Sequence, residues 1–254
     1  MPLLRPRFCT FLMTVAAAVA LSACGGGGGD GDADNEVAVT AEGVYEGSLG
    51  AAVTGQYAAI VLENGESWAL YSFTGGAGFL QARGTSHDGS YTASDVLDYG
   101  TAPPSAGRIS ASYSTSTGTM QGQYVFGQNV VPFTASRPTQ GYRYDTPANL
   151  ASITGSWALV SSAEQSMRLQ VAADGTLSGT GLTGCTLTGS LTPRPSGKNV
   201  FNAVLRFGSA CAQPDLAASG VAIVVVEDGQ PVLMVMGQSA DRMVGTIAVG
   251  TPAP

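Results

Sequence analysis

The chain has 254 residues and a formal net charge of −7, and only 11% of its residues are charged, against 44% that are hydrophobic. An acidic chain without a basic stripe argues against nucleic acid as a partner, because nucleic-acid binding needs clustered cations. The scarcity of charged helix formers argues against helix bundles and coiled coils and favours a β-rich protein from outside the cytoplasm.

The first 23 residues have the features of a targeting segment. Arg5 and Arg7 precede an uncharged apolar run over residues 8–20. That run is shorter than the roughly 20 residues that a helix needs to span a bilayer. Small residues then lead to Cys24. The pattern predicts an export signal that is absent from the mature chain.

Leu21-Ser22-Ala23-Cys24 resembles the lipobox of bacterial lipoproteins. The resemblance implies that residues 1–23 are removed as a lipoprotein signal peptide and that Cys24, as the new first residue, is acylated. The acyl chains would hold the protein in a membrane. Gly25 follows the cysteine where an inner-membrane retention signal has Asp, which implies the outer membrane, on its periplasmic face or at the cell surface. The alternative is an ordinary signal peptide, cut after Ala23, that leaves Cys24 unmodified.

Residues 24–42 are expected to form a lipidated, flexible tether. They open with a run of glycines and continue with Asp30-Gly-Asp32-Ala-Asp34-Asn-Glu36, a composition that stays solvated and unfolded. The acidic run departs from a calcium-binding loop at two positions. Asn35 stands where such a loop needs Gly, and Ala41 stands where it needs Glu. We therefore expect no metal here.

The remainder of the chain contains an internal repeat. Residues 43–49 are echoed by residues 153–159, and the alternating run at 58–65 is echoed by residues 167–175. An offset of about 110 residues is the size of a domain, not of a solenoid repeat. The repeat predicts two tandem domains, residues 43–137 and 153–250, joined by a linker at 138–152.

Within each predicted domain the apolar residues alternate with a period of two. Such runs, rich in β-branched and aromatic residues, are typical of half-buried strands. Asn64-Gly65, Asp174-Gly175 and Asp228-Gly229 are hairpin signals, since these residues accept a positive φ. The pattern predicts an all-β protein with seven or eight short strands per domain. Each domain is then a small antiparallel β-barrel or a β-sandwich.

Two of the four cysteines remain after processing and lipidation. Cys9 leaves with the signal peptide, Cys24 carries lipid, and Cys185 and Cys211 stay in the second domain. In an oxidising compartment an even pair predicts a disulfide, worth roughly 3–4 kcal/mol by loop closure. A metal site would need further ligands, and the sole histidine, His87, is distant in sequence.

The chain holds three weak catalytic patterns. Ser86-His87-Asp88 has the residue types of a hydrolase triad, but adjacent side chains of an extended chain point apart. Gly179-Thr-Gly-Leu-Thr-Gly184 matches a dinucleotide fingerprint, but strand-like residues follow it where a helix is needed. Asp95 and Asp98 are the first candidates for a glycosidase pair, and a turn before Gly100 explains them equally well. We therefore expect no enzyme and no cofactor.

Aromatic residues are concentrated in the first predicted domain. Such residues are favoured both at binding faces and in cross-strand pairs. Strand and core packing should account for most of them, and the rest could form an exposed binding face. The residues in question are Tyr45, Tyr57, Trp68, Tyr71, Phe73, Tyr91, Tyr99, Tyr113 and Tyr124.

Two further resemblances concern the whole chain. A lipobox, a Gly-rich tether and small β-barrels are the plan of tethered outer-membrane lipoproteins such as transferrin-binding protein B and the factor-H-binding lipoprotein. In the second domain, Gly184-Cys185, Thr192-Pro193-Arg194, Gly197-Lys198-Asn199-Val-Phe201 and Cys211 are similar to uncharacterised proteobacterial lipoproteins. Neither resemblance implies a particular ligand.

Three functions remain open from the sequence. The first is a lipid-anchored outer-membrane protein that binds a macromolecular partner without catalysis. The second is a barrel that encloses a small apolar ligand. The third is a structural envelope protein without a discrete ligand.

Overall fold

The computed structural model describes residues 40–50, 55–74, 76–162 and 166–254. In this part of the chain two closed β-barrels of eight strands each follow one another, and a short 3-10 turn, Leu150–Ser152, lies between them. The predicted all-β architecture of two tandem small domains is confirmed, and both domains are barrels, not sandwiches. The predicted signal peptide and most of the predicted tether lie outside the described residues.

Barrel 1 is an up-and-down barrel. Consecutive strands pair antiparallel, and β1 closes the barrel against β8 from Glu46↔Ser136 to Leu49↔Phe133. Its strands are β1 (Gly43–Leu49), β2 (Gly55–Val61), β3 (Glu66–Phe73), β4 (Gly76–His87), β5 (Ser90–Asp98), β6 (Ser105–Ser114), β7 (Thr119–Phe126) and β8 (Asn129–Ser136).

Barrel 2 has the same connectivity. Its first strand, β9, pairs with both β10 and β16, so this barrel also closes between its first and last strands. Its strands are β9 (Gly155–Ser161), β10 (Met167–Val171), β11 (Thr176–Gly181), β12 (Thr186–Pro193), β13 (Phe201–Phe207), β14 (Ala217–Glu227), β15 (Gln230–Ser239) and β16 (Gly245–Pro252).

The hairpin signals in the sequence fall on turns. Gly65 (φ 80°) ends the turn between β2 and β3, and Gly175 (φ 84°) ends the corresponding turn of barrel 2. Asp228 (φ 49°) and Gly229 (φ 76°) form the two-residue connection between β14 and β15. Two successive positive φ angles match the twist of the flanking strands, which is why Asp-Gly stands at that turn.

Tyrosine side chains fill the interior of barrel 1. Buried alanines on neighbouring strands leave room for them, as a small barrel requires. The hydroxyls of Tyr57 and Tyr124 hydrogen-bond each other at 2.6 Å, and that of Tyr91 donates to the Gly65 carbonyl at 2.8 Å. Burial raises the pKa of Tyr91 to about 12. Paired hydroxyls let these large side chains be buried without unsatisfied polar atoms.

Barrel 2 has an aliphatic interior. Leucines from β9 to β13 and β15 pack around Trp157, Phe201 and Phe207. The Trp157 indole donates to the Ile153 carbonyl at 2.7 Å. The predicted disulfide is present: Cys185, just before β12, is bonded to Cys211 in the loop after β13, and both residues are buried.

The two barrels pack together within one compact unit, Ala38–Pro254. The outer faces of β1–β4 meet the outer faces of β14–β16 in a third apolar core, which we call the seam. Trp68 stacks on Phe79 (centroids 6.2 Å apart), and Phe79 stacks on Tyr99 (4.7 Å). The buried seam residues are Val44, Ile60, Leu62, Trp68, Phe79, Tyr144, Val200, Val221, Ile223, Val225, Val232 and Met236.

Charged pairs surround the seam. Among the described residues, every ion pair except the adjacent His87–Asp88 takes its cation from barrel 2 and its acid from barrel 1 or the connecting segment. Arg194 pairs with Glu63 at 2.8 Å, and Lys198 pairs with Glu42 at 3.0 Å. Most ion pairs of the described residues therefore join barrel 2 to barrel 1 or to the connecting segment.

Close approach of the barrels requires Gly245 in β16. A Cβ at this position would lie 2.4 Å from Tyr99 Cδ1 and 2.5 Å from Phe79 Cζ, which is too close for real atoms. We expect Gly245→Ala to lower the free energy of unfolding by about 1–3 kcal/mol through overpacking, measured by urea denaturation.

Gly237→Ala, on the adjoining strand, is the matched control. A Cβ there would meet Ala218 Cβ at 3.4 Å and Leu205 Cδ1 at 3.6 Å, which are ordinary contacts. Its stability should be unchanged or higher by about 0.5 kcal/mol, because Ala restricts the unfolded chain. Equal losses in both variants would contradict a tightly packed seam.

Candidate functional site

Large buried side chains occupy the interiors of both barrels in the described part of the chain. Barrel 1 is filled by its tyrosines. Barrel 2 contains an apolar cavity of about 20 Å³, lined by Met167, Leu177 and Phe207 among others. That volume holds about one water molecule, whereas small-molecule sites occupy roughly 300–1,000 Å³. We therefore expect a small-molecule site on the outer surface.

A groove of about 330 Å³ lies where barrel 1 meets the connecting segment. We call it the junction groove. The start of β1 and the residues after β8 form one wall, and the connecting segment forms the other. Its lining residues are Gly43, Val44, Arg137, Pro138, Tyr142, Arg143, Tyr144, Asp145 and Thr146.

Arg137 is held in place on the barrel wall of the junction groove. Its Nη2 donates to the Glu42 carbonyl at 2.7 Å, and its guanidinium carbon lies 5.7 Å from the centre of the Tyr45 ring. Gly43 lies beside it with a φ of 141°, which residues with a Cβ rarely adopt, and a Cβ there would lie 3.2 Å from Arg137 Nε. The Nε of Arg137 is buried and has no hydrogen-bond partner among the described residues.

Tyr144 lines the opposite wall. Its side chain belongs to the seam and is only 8% exposed, and its hydroxyl is buried without a partner in the described part of the chain. Burial raises the pKa of this hydroxyl well above its ordinary value, with smaller contributions from Glu42 and Glu63. The neighbouring Tyr142 is satisfied, since its hydroxyl donates to the Asn199 carbonyl.

The charges around the junction groove are unequally paired. Lys198 Nζ contacts Asp145 at 2.8 Å and Glu42 at 3.0 Å. These hydrogen bonds, that to Asp145 first, raise the pKa of Lys198. One lysine offsets only one of these two carboxylates. Arg137 and Arg143 form no ion pair among the described residues, so the three cations and two carboxylates together carry a net charge of +1.

A second polar cluster crosses the seam around Arg242. The Nη1 of Arg242 lies 2.7 and 2.6 Å from the two carboxylate oxygens of Asp95, and its Nη2 donates to Gln81 Oε1 at 2.7 Å. Gln81 is fully buried. Asp95 lies where the pairing of β5 with β6 shifts register, between Ala93 and Val96. This cluster joins the two barrels through charge-assisted hydrogen bonds.

The structure does not assemble the triad suggested by the sequence. His87 and Asp88 pair with each other at the tip of the β4–β5 turn, where both side chains are 86% exposed. The Ser86 hydroxyl instead accepts a hydrogen bond from the Ala41 amide at 3.1 Å. Cys24, the predicted lipidation site, lies outside the described residues.

The other two catalytic patterns are structural. Asp98 accepts hydrogen bonds from the Gly100 amide at 2.8 Å and from the Tyr71 hydroxyl at 2.7 Å, as the turn explanation requires. Asp95 is bound by Arg242. Residues 179–184 form the end of β11 and the turn before strand β12, so the helix that a dinucleotide fingerprint needs is absent there.

The idea of an exposed aromatic binding face is wrong. Most of the aromatic residues singled out from the sequence are buried in barrel 1 or in the seam, and Phe73 alone among them is exposed beyond a third, at 40%. Core and strand packing therefore account for this aromatic composition. The junction groove was missed because its residues come from the predicted linker and from a strand end, where no periodic pattern exists.

Two features are absent from the described residues. No group of three or more His, Cys, Asp or Glu that could hold a metal ion occurs in the described ranges. Within the same ranges, no helix is long and apolar enough to cross a membrane.

Comparison with known proteins adds little. No protein-family profile matches the chain, and no curated protein matches it. A crystal structure of a protein of unknown function from the DUF3598 family of Nostoc punctiforme PCC 73102 is similar at 12% identity, over 84% of this chain and 96% of that one, with a TM-score of 0.25. A TM-score this low supports no argument about function.

The Arg242 cluster gives a direct test of the polar contacts across the seam. We expect Arg242→Ala to lower the free energy of unfolding by about 2 kcal/mol, because Gln81 and Asp95 lose charge-assisted hydrogen bonds. Both residues carry a Cβ, so the positive φ of 60° is no harder for Ala. His87→Ala, in a fully solvated pair, should change stability by less than about 0.5 kcal/mol. Equal losses of stability in Arg242→Ala and His87→Ala would show that the Arg242 contacts do not stabilise the seam.

Removal of the Glu227 carboxylate and removal of the Glu63 carboxylate should change stability at neutral pH in opposite directions. Burial, with some repulsion from Asp228, raises the pKa of Glu227. Its protonated form therefore favours the folded state, and this contribution is lost as the pH rises through the native pKa. Glu227→Gln should be more stable than the wild type at pH 7, by up to about 0.5 kcal/mol. The gain should vanish near pH 4.

Glu63→Gln should behave in the opposite way. Partial burial acts to raise the pKa of Glu63, but hydrogen bonds from Arg194 outweigh it and lower the pKa. Its stabilising contribution is present at neutral pH and is lost on acidification through the native pKa. The variant should lose about 1 kcal/mol at pH 7 and nothing at low pH. Thermal melts of both variants between pH 3 and 8 check these two predictions. If both variants gain stability at pH 7, or both lose it, the explanation by opposite pKa shifts is wrong.

Proposed function

We propose that the protein is a lipid-anchored outer-membrane protein that binds a partner without catalysing a reaction. The anchoring is supported by Leu21-Ser22-Ala23-Cys24 and by the Gly- and Asp-rich stretch after it. Two acyl chains hold a protein in a bilayer stably. The solvated tether would keep the double-barrel body clear of the lipid.

One observation carries the binding role. Both barrels are closed and filled by their own side chains, whereas the junction groove is open and holds two arginines without carboxylate partners. Its volume of about 330 Å³ is within the range of small-molecule sites, which often lie between domains. The groove, not a barrel interior, is thus the place where we expect a partner.

The two other functions have less support. An enclosed apolar ligand would have to fit in a cavity of about 20 Å³ unless barrel 2 opened. A structural role without a ligand gives no reason for the buried unpartnered polar atoms of Arg137 and Tyr144.

Lipidation is tested by labelling cells with an alkyne analogue of palmitate. We expect the wild-type chain to carry the label and to fractionate with the outer membrane, and Cys24→Ser to lose both properties. Cys9→Ser is the matched control, because that cysteine lies within the predicted signal peptide and should not matter. Label on the Cys24→Ser variant, or none on the wild type, would contradict the proposed anchor.

The binding role is tested by a photo-crosslinking residue introduced on intact cells. Thr146 is exposed at the junction groove, and Thr180 is exposed on β11 of barrel 2. We expect an adduct of defined mass from position 146 and none from position 180. Absence of an adduct at both positions, or the same adducts at both, would favour the structural role.

A further inference from the structure

Buried polar atoms without partners are rare in folded proteins, and each needs an explanation. Four occur among the described residues: Arg137 Nε, Tyr144 hydroxyl, Gln213 Oε1 and Arg242 Nε. Two of these four, those of Arg137 and Tyr144, belong to side chains that line the junction groove. Both can donate a hydrogen bond. What is missing at the groove is therefore an acceptor.

The charges next to the groove indicate the kind of acceptor. Glu42 and Asp145 share Lys198, and Glu63 is held by Arg194. Lys198 offsets only one of its two carboxylates. Arg137 and Arg143 form no ion pair in the part of the chain that the structure describes, so the surroundings of the groove keep a net charge of +1. Arg83, Arg108, Arg168 and Arg206 also form no ion pair in the described ranges, so it is the buried unpartnered donors beside Arg137 and Arg143 that distinguish the groove.

The position of Arg137 also suits an anion. Its guanidinium is fixed by the Glu42 carbonyl, by the Tyr45 ring and by the close approach of Gly43. A fixed guanidinium loses little entropy on binding, and its planar donors match the oxygens of a carboxylate, phosphate or sulfate group. An exposed Arg143 on the other wall can close over the same group.

We propose that the junction groove binds the oxyanion group of a ligand, with Arg137 and Arg143 as the cationic contacts and the Tyr144 hydroxyl as a further donor. The group is a carboxylate, a phosphate or a sulfate, and it belongs either to a soluble molecule or to a lipid headgroup. This inference rests on the binding role proposed above and names the chemistry of its ligand.

The test uses the chain from Gly25 onward, which retains the whole compact unit, labelled with ¹⁵N for NMR. The probes are sodium phosphate, sulfate and acetate, titrated against sodium chloride at equal ionic strength. We expect saturable shifts of the Arg137 and Arg143 Nε–H signals with at least one of the three oxyanions. Arg143→Gln should weaken binding about tenfold, whereas Arg206→Gln, an exposed arginine on β13, should leave it unchanged.

Tyr144→Phe shows whether the Tyr144 hydroxyl contacts the ligand or only stabilises the fold. If it contacts the ligand, the variant binds oxyanions more weakly without losing stability. Removal of a buried hydroxyl that has no partner should leave the melting temperature unchanged or raise it, while oxyanion binding weakens several-fold. A fall in melting temperature, with binding unaffected, would show that the hydroxyl is satisfied by water and would overturn its role. Arg137→Lys, which keeps the charge but loses the planar donors, should also bind more weakly.

A second arm identifies the source of the group. Co-sedimentation is measured with phosphatidylcholine vesicles that do or do not contain phosphatidylglycerol. If the protein co-sediments only when phosphatidylglycerol is present, and Arg143→Gln abolishes this binding, the oxyanion group belongs to a lipid headgroup. Binding of the free oxyanions without vesicle binding would assign a soluble ligand. No saturable shift with any probe and no vesicle binding would overturn the oxyanion proposal. An adduct at position 146 in that case would leave the binding role itself standing.

Discussion

Burial of the outer faces of both barrels against each other is the interaction on which the remaining features depend. An isolated barrel would expose Trp68, Phe79 and the apolar residues of β14 and β15 to water. Each such side chain gains roughly 1.5–3 kcal/mol when it is buried. The seam therefore holds the barrels at a fixed distance and orientation, and the ion pairs at its edge select that orientation.

The junction groove is a consequence of the seam. The connecting segment cannot run freely between the barrels, because Tyr142 and Tyr144 pack against the seam and Lys198 of barrel 2 contacts Asp145. The segment is thereby fixed beside the start of β1, with Arg137 on the facing wall. Sites built between rigid elements keep their geometry without a ligand, and this rigidity is what makes an unpaired guanidinium there informative.

Sequence reasoning predicted the parts of the fold that are local. Period-two runs and the Asn-Gly and Asp-Gly turns predicted the strands and hairpins, and the cysteine count predicted the disulfide. It missed the seam. One signal was present: residues 221–226 are apolar without interruption, as expected of a strand buried on both faces. The junction groove had no such signal, because its walls meet only after both barrels close.

We expect the two barrels to unfold as one cooperative unit, because the seam joins them. Differential scanning calorimetry of the chain from Gly25 onward shows whether the two barrels unfold together or independently. We expect a single transition whose calorimetric and van't Hoff enthalpies agree, because neither barrel persists without the other. Two separate transitions, each with its own van't Hoff enthalpy, would show that the barrels unfold independently and would contradict a fixed junction groove.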